Sequence, residues 1–264
     1  MSKIPEGRGI IVEEANAQKP KIMIRVRNLR KEYRLEDDTV VALKRINLDI
    51  KQGEICCIFG TSGSGKSTLL NQLAGLEKPT YGDVYIRGVP ITRLSEKELA
   101  AFRQKHIGFV FQSYNLLPFM TAAENVAMPL MFRGEARRTR MRKAVSILKR
   151  VGLTNRIKHY PRQMSGGQQQ RVGIARAFVA HPDVVFADEP TGNLDSKTTI
   201  EVMDMIKKFA RDYKQTIVLV THDPELAKYA DRIVTLVDGK IVNDTKNDEN
   251  TLYRKGMIEN EKAI

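Results

Sequence analysis

The stretch that most constrains this chain is Gly60-Thr61-Ser62-Gly63-Ser64-Gly65-Lys66-Ser67, which matches the phosphate-binding pattern G-x-x-x-x-G-K-[ST] without a mismatch. Backbone N–H groups must converge on an anion there, and glycines at 60, 63 and 65 are expected to permit the backbone angles this requires. Lys66 is expected to set its ammonium on the β- and γ-phosphates of a nucleotide, and Ser67 to ligate Mg²⁺, with Thr68 beside it. The flanks agree with that reading. Ile55-Cys56-Cys57-Ile58-Phe59 reads as a buried strand and Ser67–Ala74 as a helix whose positive N-terminal end faces the phosphates.

A chain of 264 residues is long enough for one large domain or a core with a lobe. With 42% apolar and 28% charged residues, it has the composition of an ordinary soluble protein. No apolar run approaches the roughly 18 residues of a membrane span. The first residues lack the apolar core of a signal peptide, so the cytoplasm is the expected compartment. Cys56 and Cys57 are adjacent on a buried strand, where they point to opposite faces and act as small hydrophobes. The net charge of +13 favours an anionic neighbour, nucleic acid or a membrane surface, without choosing between them.

Residues 1–21 show no periodicity and read as an extension. From Ile22 apolar and polar residues alternate, and the signal returns over Val40–Ile50 after a turn at Glu36-Asp37-Asp38, which predicts an antiparallel layer. Pro79–Asp83 reads as a turn before a short strand at Val84–Arg87. Ser95-x-x-Glu98 is a capping box opening a helix to Lys105, and Ile107–Phe111 is a strand. Residues 113–163 are expected to form a helical lobe, with a second capping box at Thr121-x-x-Glu124 and an apolar stripe of Met141, Ala144, Val145, Leu148 and Val151. Arg137, Arg138, Arg140, Arg142 and Lys143 lie opposite that stripe, as a solvated face or a contact for anionic lipid. A helix from Ser165 to Ala180, a strand at Val184–Ala187, a helix at Thr198–Arg211, a strand at Thr216–Val220 and a hairpin around Asp238-Gly239 complete the domain at 243. The remainder, 244–264, reads as a polar tail.

Buried strands alternating with helices predict a mostly parallel sheet, in which ligands bind at the carboxyl ends of the strands. Four strands here end in groups suited to a nucleotide: the phosphate loop, Gln112, Asp188-Glu189 and His222. Asp188 is placed to hold Mg²⁺ directly or through water, which leaves Glu189 to polarise the attacking water. Gln112 is a candidate for metal and water, and His222 for the γ-phosphate and for holding Glu189. Ser165-x-x-Gln168 is also a capping box, so Gly166 and Gly167 sit at a helix N-terminus that forms a second anion site. Paired glycines weaken a first turn, and a close phosphate approach is the expected reason for them.

These motifs resemble the ATP-binding cassette family of transporter ATPases over residues 22–243. The resemblance implies a P-loop NTPase of α/β class, with a RecA-like, mostly parallel sheet, an N-terminal antiparallel β layer and a small α-helical lobe. Met164-Ser165-Gly166-Gly167-Gln168 looks like the family signature, with methionine where leucine is more usual. Asp195, in Thr191-Gly192-Asn193-Leu194-Asp195, looks like the family's D-loop, and Tyr33 falls where the family places an aromatic that stacks on adenine. The wording around Gly192–Asp195 and Phe109–Pro118 is most similar to a bacterial branch of lipoprotein-release, macrolide-export, antimicrobial-peptide-resistance and cell-division cassettes. In that family two cassettes pair head to tail around two Mg-ATP, so Ser165, Gly167 and Gln168 would serve the partner's ATP. The cycle would drive a separate integral membrane permease from the cytoplasmic face of the membrane.

Two alternatives stand beside transport. One is an ATPase that passes its motion to a cell-division or cell-wall partner. The other acts on nucleic acid, but the stretch from Gln112 to Ser165 has room only for a small lobe, not the long coiled coils of chromosome-type members. One cassette per chain also argues against the two-cassette translation factors, so no nucleic-acid partner is expected. The absence of an Asn-Lys-x-Asp guanine reader disfavours a GTPase.

Overall fold

The computed structural model describes residues 21–34 and 38–247, so the extension before 21, part of the turn at 36–38 and the tail from 248 lie outside the described residues. The chain opens with β1 (Ile22–Arg34) and β2 (Thr39–Lys51), then β3 (Ile55–Phe59) leads through the glycine loop into α1 (Lys66–Leu73). Strands β4 (Tyr81–Ile86) and β5 (Val89–Pro90) precede α2 (Glu96–His106) and β6 (Ile107–Val110). Two helices, α3 (Ala122–Phe132) and α4 (Arg137–Arg150), form the lobe, and α5 (Gly166–Phe178) returns to the core. The chain then runs through β7 (Val184–Asp188), α6 (Ser196–Asp212), β8 (Thr216–Thr221), α7 (Pro224–Ala227), β9 (Arg232–Val237) and β10 (Lys240–Lys246).

Two sheets result. The smaller is antiparallel, in the order β2-β1-β4-β5, and the larger runs β10-β9-β3-β8-β7-β6. In the larger sheet every pairing is parallel except β9 with β10. The α/β class with an antiparallel layer therefore stands as expected. Cys56 and Cys57 are both free and fully buried, and they face different cores. Cys56 packs with Ile58, Leu69 and Leu73 between the sheets, whereas Cys57 packs with Val185, Phe178 and Ile217 on the helical side. Burial pushes the Cys57 thiol up to about 12, in keeping with a hydrophobic role.

The three capping boxes form as read, at Ser95/Glu98, Thr121/Glu124 and Ser165/Gln168. Four local expectations change. The turn predicted at Pro79–Asp83 is shorter, because β4 already begins at Tyr81; Gly82 there has φ +89°, and a Cβ would lie 2.5 Å from the Asn28 carbonyl oxygen. Residues 113–163 are not continuously helical, since Tyr114 and Asn115 adopt φ of +58° and +48° and no helix begins before Ala122. The α4 stripe gains Ile147, which is buried beside Ala144 and Leu148, while Met141 and Val145 are half-buried. The hairpin continues to Lys246, because Arg232 grips the Asp244 carboxylate with Nε and Nη2, each at 2.5 Å.

The expectation that Gly166 and Gly167 lack a packing reason is also corrected. A Cβ on Gly166 would lie 2.7 Å from the Tyr114 hydroxyl, and one on Gly167 would lie 2.6 Å from Cγ2 of Thr198 in the first turn of α6. Both glycines let α5 approach its neighbours, whatever else they bind. Gly167→Ala should lower unfolding stability by about 1–3 kcal/mol through overpacking. Adding Thr198→Ser removes the obstructing methyl and keeps a hydroxyl for Asp195, so urea unfolding should show most of that loss recovered. A double variant as unstable as the single one would rule out this contact as the cause.

Candidate nucleotide site

The parallel register lines up the strand ends. Phe59 pairs with Thr221, Val220 with Asp188, and Ala187 with Val110, so β3, β8, β7 and β6 finish at nearly one level. At that level lies a cavity of about 840 Å³, within the usual range for ligand sites. Gly60–Gly63 and Gly65–Thr68 line it with Gln112, Glu189 and His222, and Val41, Lys44 and Gly239 stand on the remaining wall. Sequence reading did not single out that last wall, which β2 and the β9–β10 turn bring in from far along the chain.

The phosphate loop is held from several sides. Lys66 Nζ donates to the Thr61 carbonyl at 2.8 Å. Gly63 and Gly65 take φ of +80° and +100°, as the motif requires, but Gly60 does not have a positive φ. Gly60 is needed for a different reason: a Cβ there would sit 2.3 Å from the Leu236 carbonyl oxygen. Ser64 turns inward, with its Oγ buried and without a partner, and its carbonyl accepts from Gly239 N–H at 3.0 Å. Its role here is to brace the loop against the Asp238-Gly239 turn. Helix α1 starts at Lys66 with no side chain capping it, which leaves its first N–H groups turned to the loop.

Glu189 is the most constrained residue of the site. Its φ of +44° is unusual for a non-glycine residue, and the residue after it is a proline. Surrounding bonds hold this conformation: Glu189 N–H donates to the Val220 carbonyl at 2.9 Å, Oε1 meets His222 Nδ1 at 2.7 Å, and Oε2 accepts from Thr221 Oγ1 at 3.3 Å. Thr221 is a functional candidate that the sequence reading passed over, although its place beside His222 at a strand end was the available signal.

Asp188 keeps Oδ1 buried without a hydrogen-bond partner. Burial raises its pKa above the ordinary carboxylate value, the neighbouring Glu189 adds to the rise, and Lys66 opposes it. Asp188 is not on the cavity wall, but its buried, partnerless carboxylate oxygen fits a cation, and with Ser67 and Gln112, which do line the wall, it offers the hard oxygen donors that Mg²⁺ prefers. Gln112 is exposed, and its amide packs against Gly192, where a Cβ would lie 2.7 Å from Nε2. Asn193 donates to the Gln112 carbonyl at 3.1 Å, a link between β6 and the loop before α6.

The other candidates lie away from the cavity wall. Ser165 caps α5, with Gly166, Gly167 and Gln168 in its first turn, and Met164 is buried in the core behind them. Asp195 caps α6 by accepting from Thr198 N–H at 3.0 Å and Thr198 Oγ1 at 2.7 Å, and these bonds hold its carboxyl below the ordinary value. The two helix N-termini adjoin through Gly167 and Thr198. Tyr33 is not on the cavity wall; its hydroxyl donates to Glu77 at 2.8 Å and the Lys31 ammonium stands 5.0 Å from its ring centre.

Residues 43–192 match the ABC transporter family. The ABC transporter ATP-binding protein MJ0796 of Methanocaldococcus jannaschii is 46% identical over 231 residues, which cover 85% of this chain and 97% of that protein. The macrolide export ATP-binding/permease protein MacB of Rhodopirellula baltica is 44% identical over 237 residues. This chain spans only about a third of the length of that longer protein, 35%. A dimeric structure of MJ0796 superposes with a TM-score of 0.80 at 44% identity, covering 86% of this chain and 99% of that one. A dimeric post-hydrolysis structure of the same cassette, bound to ADP and Pi, also superposes with a TM-score of 0.80. With the phosphate loop, the Asp188-Glu189 strand end and His222 gathered on one sheet edge, these likenesses mean that the chain belongs to the ABC transporter family, as one of its ATPase cassettes.

Proposed function

We propose that the chain is the nucleotide-binding subunit of a transporter, pairing head to tail with a second copy around two Mg-ATP and driving a separate membrane subunit for export or for extraction of a substrate from the membrane. The observation that carries this reading is the division of its candidate nucleotide-contacting groups. One set lines the cavity, whereas Ser165, Gly167, Gln168 and Asp195 stand on another surface and would complete the site of a partner. The dimeric structures of the similar cassette MJ0796 support such pairing.

Within one site, Lys66 and the N-terminus of α1 hold the phosphates, and Ser67, Asp188 and Gln112 hold the cation. Bound Mg²⁺ would offset negative charge on the β- and γ-phosphates. Glu189, fixed by His222 and Thr221, accepts the proton of the attacking water. The exposed ring of His222 would reach the γ-phosphate through Nε2, which donates there in the imidazolium form while Nδ1 donates to Glu189.

The membrane partner has a candidate seat. Phe119, Met120, Met128 and Met131 line a groove of about 310 Å³ with Arg137 and Arg140 on its rim. Phe119 is 71% exposed, so it is not part of the lobe core, whereas Leu116 does pack against that core. Buried Asn125 fixes the segment behind Phe119, accepting from Leu117 N–H and donating to the Leu117, Met120 and Thr121 carbonyls. A permease within the same chain as the cassette, in the name of the MacB relatives, supports a membrane partner here. No helix among the described residues is long and apolar enough to cross a membrane. Exposed Arg137, Arg138 and Arg142 suit an anionic lipid surface beside the groove.

Glu189→Gln should retain ATP binding and lose turnover by about 10²–10⁴-fold, the usual cost of losing a general base. Gel filtration with Mg-ATP should then show an accumulated dimer, and a monomeric variant with normal turnover would overturn the assignment. Mixing Lys66→Ala chains with Ser165→Arg chains should restore ATPase activity, because a heterodimer keeps one undamaged composite site. Proven heterodimers without any recovery would exclude head-to-tail pairing of independent sites. Phe119→Glu should abolish copurification with the membrane subunit, since interface anchors are worth roughly 2 kcal/mol or more. ATP affinity should be unchanged, and undiminished copurification of a folded variant would overturn this seat.

A further inference from the structure

Helix α5 carries two buried polar side chains, beyond its first turn, that the mechanism above does not use. Gln170 has no exposed surface and Arg176 only 7%. Buried donors need partners; Gln170 finds its own in two loops, and Arg176 finds both of its in one of those two. The Gln170 amide has two N–H donors. Nε2 donates to the Phe111 carbonyl at 3.2 Å and to the Pro190 carbonyl. Phe111 immediately precedes Gln112, and Pro190 immediately follows Glu189. One amide therefore joins the backbone beside the two groups to which the preceding reading gives the cation and the attacking water.

The bonded segments need such a hold. Proline at 190 has no N–H, so its carbonyl is the only backbone hydrogen-bonding group through which that residue can be fixed. Glu189 before it has φ +44°, and Tyr114 and Asn115 beyond Gln112 have φ of +58° and +48°. Backbone in these regions persists only where its surroundings over-determine it. Arg176 provides that for the second loop, with Nη2 donating to the Tyr114 carbonyl at 2.8 Å and Nη1 to the Asn115 carbonyl at 2.5 Å.

Gln170 is also a poor choice for stability alone. Its Oε1 is buried without a partner, a group that costs free energy to desolvate. Methionine or leucine would fill similar space without that orphan. Glutamate would offer no donor when ionised, and asparagine would be a methylene short. The amide orientation is also fixed, because the reverse would set oxygen against two carbonyl oxygens.

We infer that Gln170 is a positioning residue that ties the Gln112 loop to the Glu189 loop and both to the signature helix. The inference rests on the reading of Glu189 and Gln112 given above. It adds a physical route between sites: the N-terminus of α5 would meet the partner's nucleotide, and five residues further along the same helix grips the carboxylate loop of its own chain.

The molecule supplies a matched control. Gln215 is also buried, donates Nε2 to the Pro182 carbonyl at 2.6 Å and leaves Oε1 without a partner. It stands just before β8 and its acceptor just before β7, at the amino edge of the sheet, opposite the cavity. The experiment compares Gln170→Met, Gln215→Met and Glu189→Gln in the full chain, reading Tm, affinity for a fluorescent ATP analogue, KM and kcat. Gln170→Met should lower kcat by roughly 10–10²-fold, the scale of a small misplacement of catalytic groups. Analogue affinity and KM should stay within about twofold, since the phosphate loop is not touched. Gln215→Met should lose comparable Tm and keep kcat. Normal kcat in Gln170→Met beside an inactive Glu189→Gln overturns the inference alone, as does an equal kcat loss in Gln215→Met. Full turnover in Glu189→Gln overturns the reading beneath it as well. Should Gln170→Met fail to fold, Gln170→Asn should show the same selective kcat loss, and wild-type turnover in that variant overturns the inference.

Discussion

The alignment of strand ends in the parallel part of the large sheet is the constraint on which the rest of the structure depends. Backbone hydrogen bonding fixes Phe59 opposite Thr221, Val220 opposite Asp188 and Ala187 opposite Val110. Because each strand is buried on both faces, its register is set by packing in two cores at once. A slip of one residue would exchange those faces and move a strand end by roughly 3.3 Å. That distance exceeds a hydrogen bond, so the 2.7 Å contact between Glu189 and His222 requires β7 and β8 to keep this register. The site is thus a product of the sheet, even though its residues lie on loops.

Much of this was legible in the sequence because the relevant signals are local. A glycine loop between an apolar run and a helix, or a polar pair ending an apolar run, can be read without knowing any neighbour. The Glu189–His222 contact follows from the same logic once parallel order is granted. Other features could not be read that way. Thr221 holds Glu189, Asn193 holds the Gln112 carbonyl, and Gly239 braces Ser64, and each depends on segments brought together only by tertiary structure. Gly60 shows how a correct position can carry an incorrect reason. The motif assigns it backbone freedom, but the Leu236 carbonyl excludes any side chain there. The limit at 243 fell short for a related reason: a polar strand end looks like a tail until Arg232 is seen to bind Asp244.

The glycines at 166 and 167 illustrate how two demands can fall on one residue. Helix propensity alone argues against a glycine pair in a first turn, at roughly 1 kcal/mol for each residue in a helix interior. Close packing against Tyr114 and Thr198 is one compensation, and it operates within a single chain. Bare N–H groups for an anion are a second, which the proposed pairing would use. These demands do not compete, since a helix drawn close to α6 also sets Asp195 beside the signature turn. The packing reason can therefore stabilise the geometry in which the binding reason acts.

The position of α5 extends this argument. Its N-terminus is capped by Ser165 and is not part of the cavity wall of its own chain, while Gln170 and Arg176 fasten loops at that cavity's reactive end. A helix of 13 residues is stiff over this span, because its backbone bonds run along its length. Movement at one end that the helix transmits would reach Gln170 and Arg176, whose donors are bonded to those loops. Arg133 sets a boundary to such movement on the lobe side, donating to the Gln104, Lys105 and Ala180 carbonyls and so fixing the end of α3 to the core. Helix α5 packs against both α3 and α4, so a shift of α5 would pass into the groove that they line, which is required if nucleotide chemistry is to be felt at a surface that touches no nucleotide.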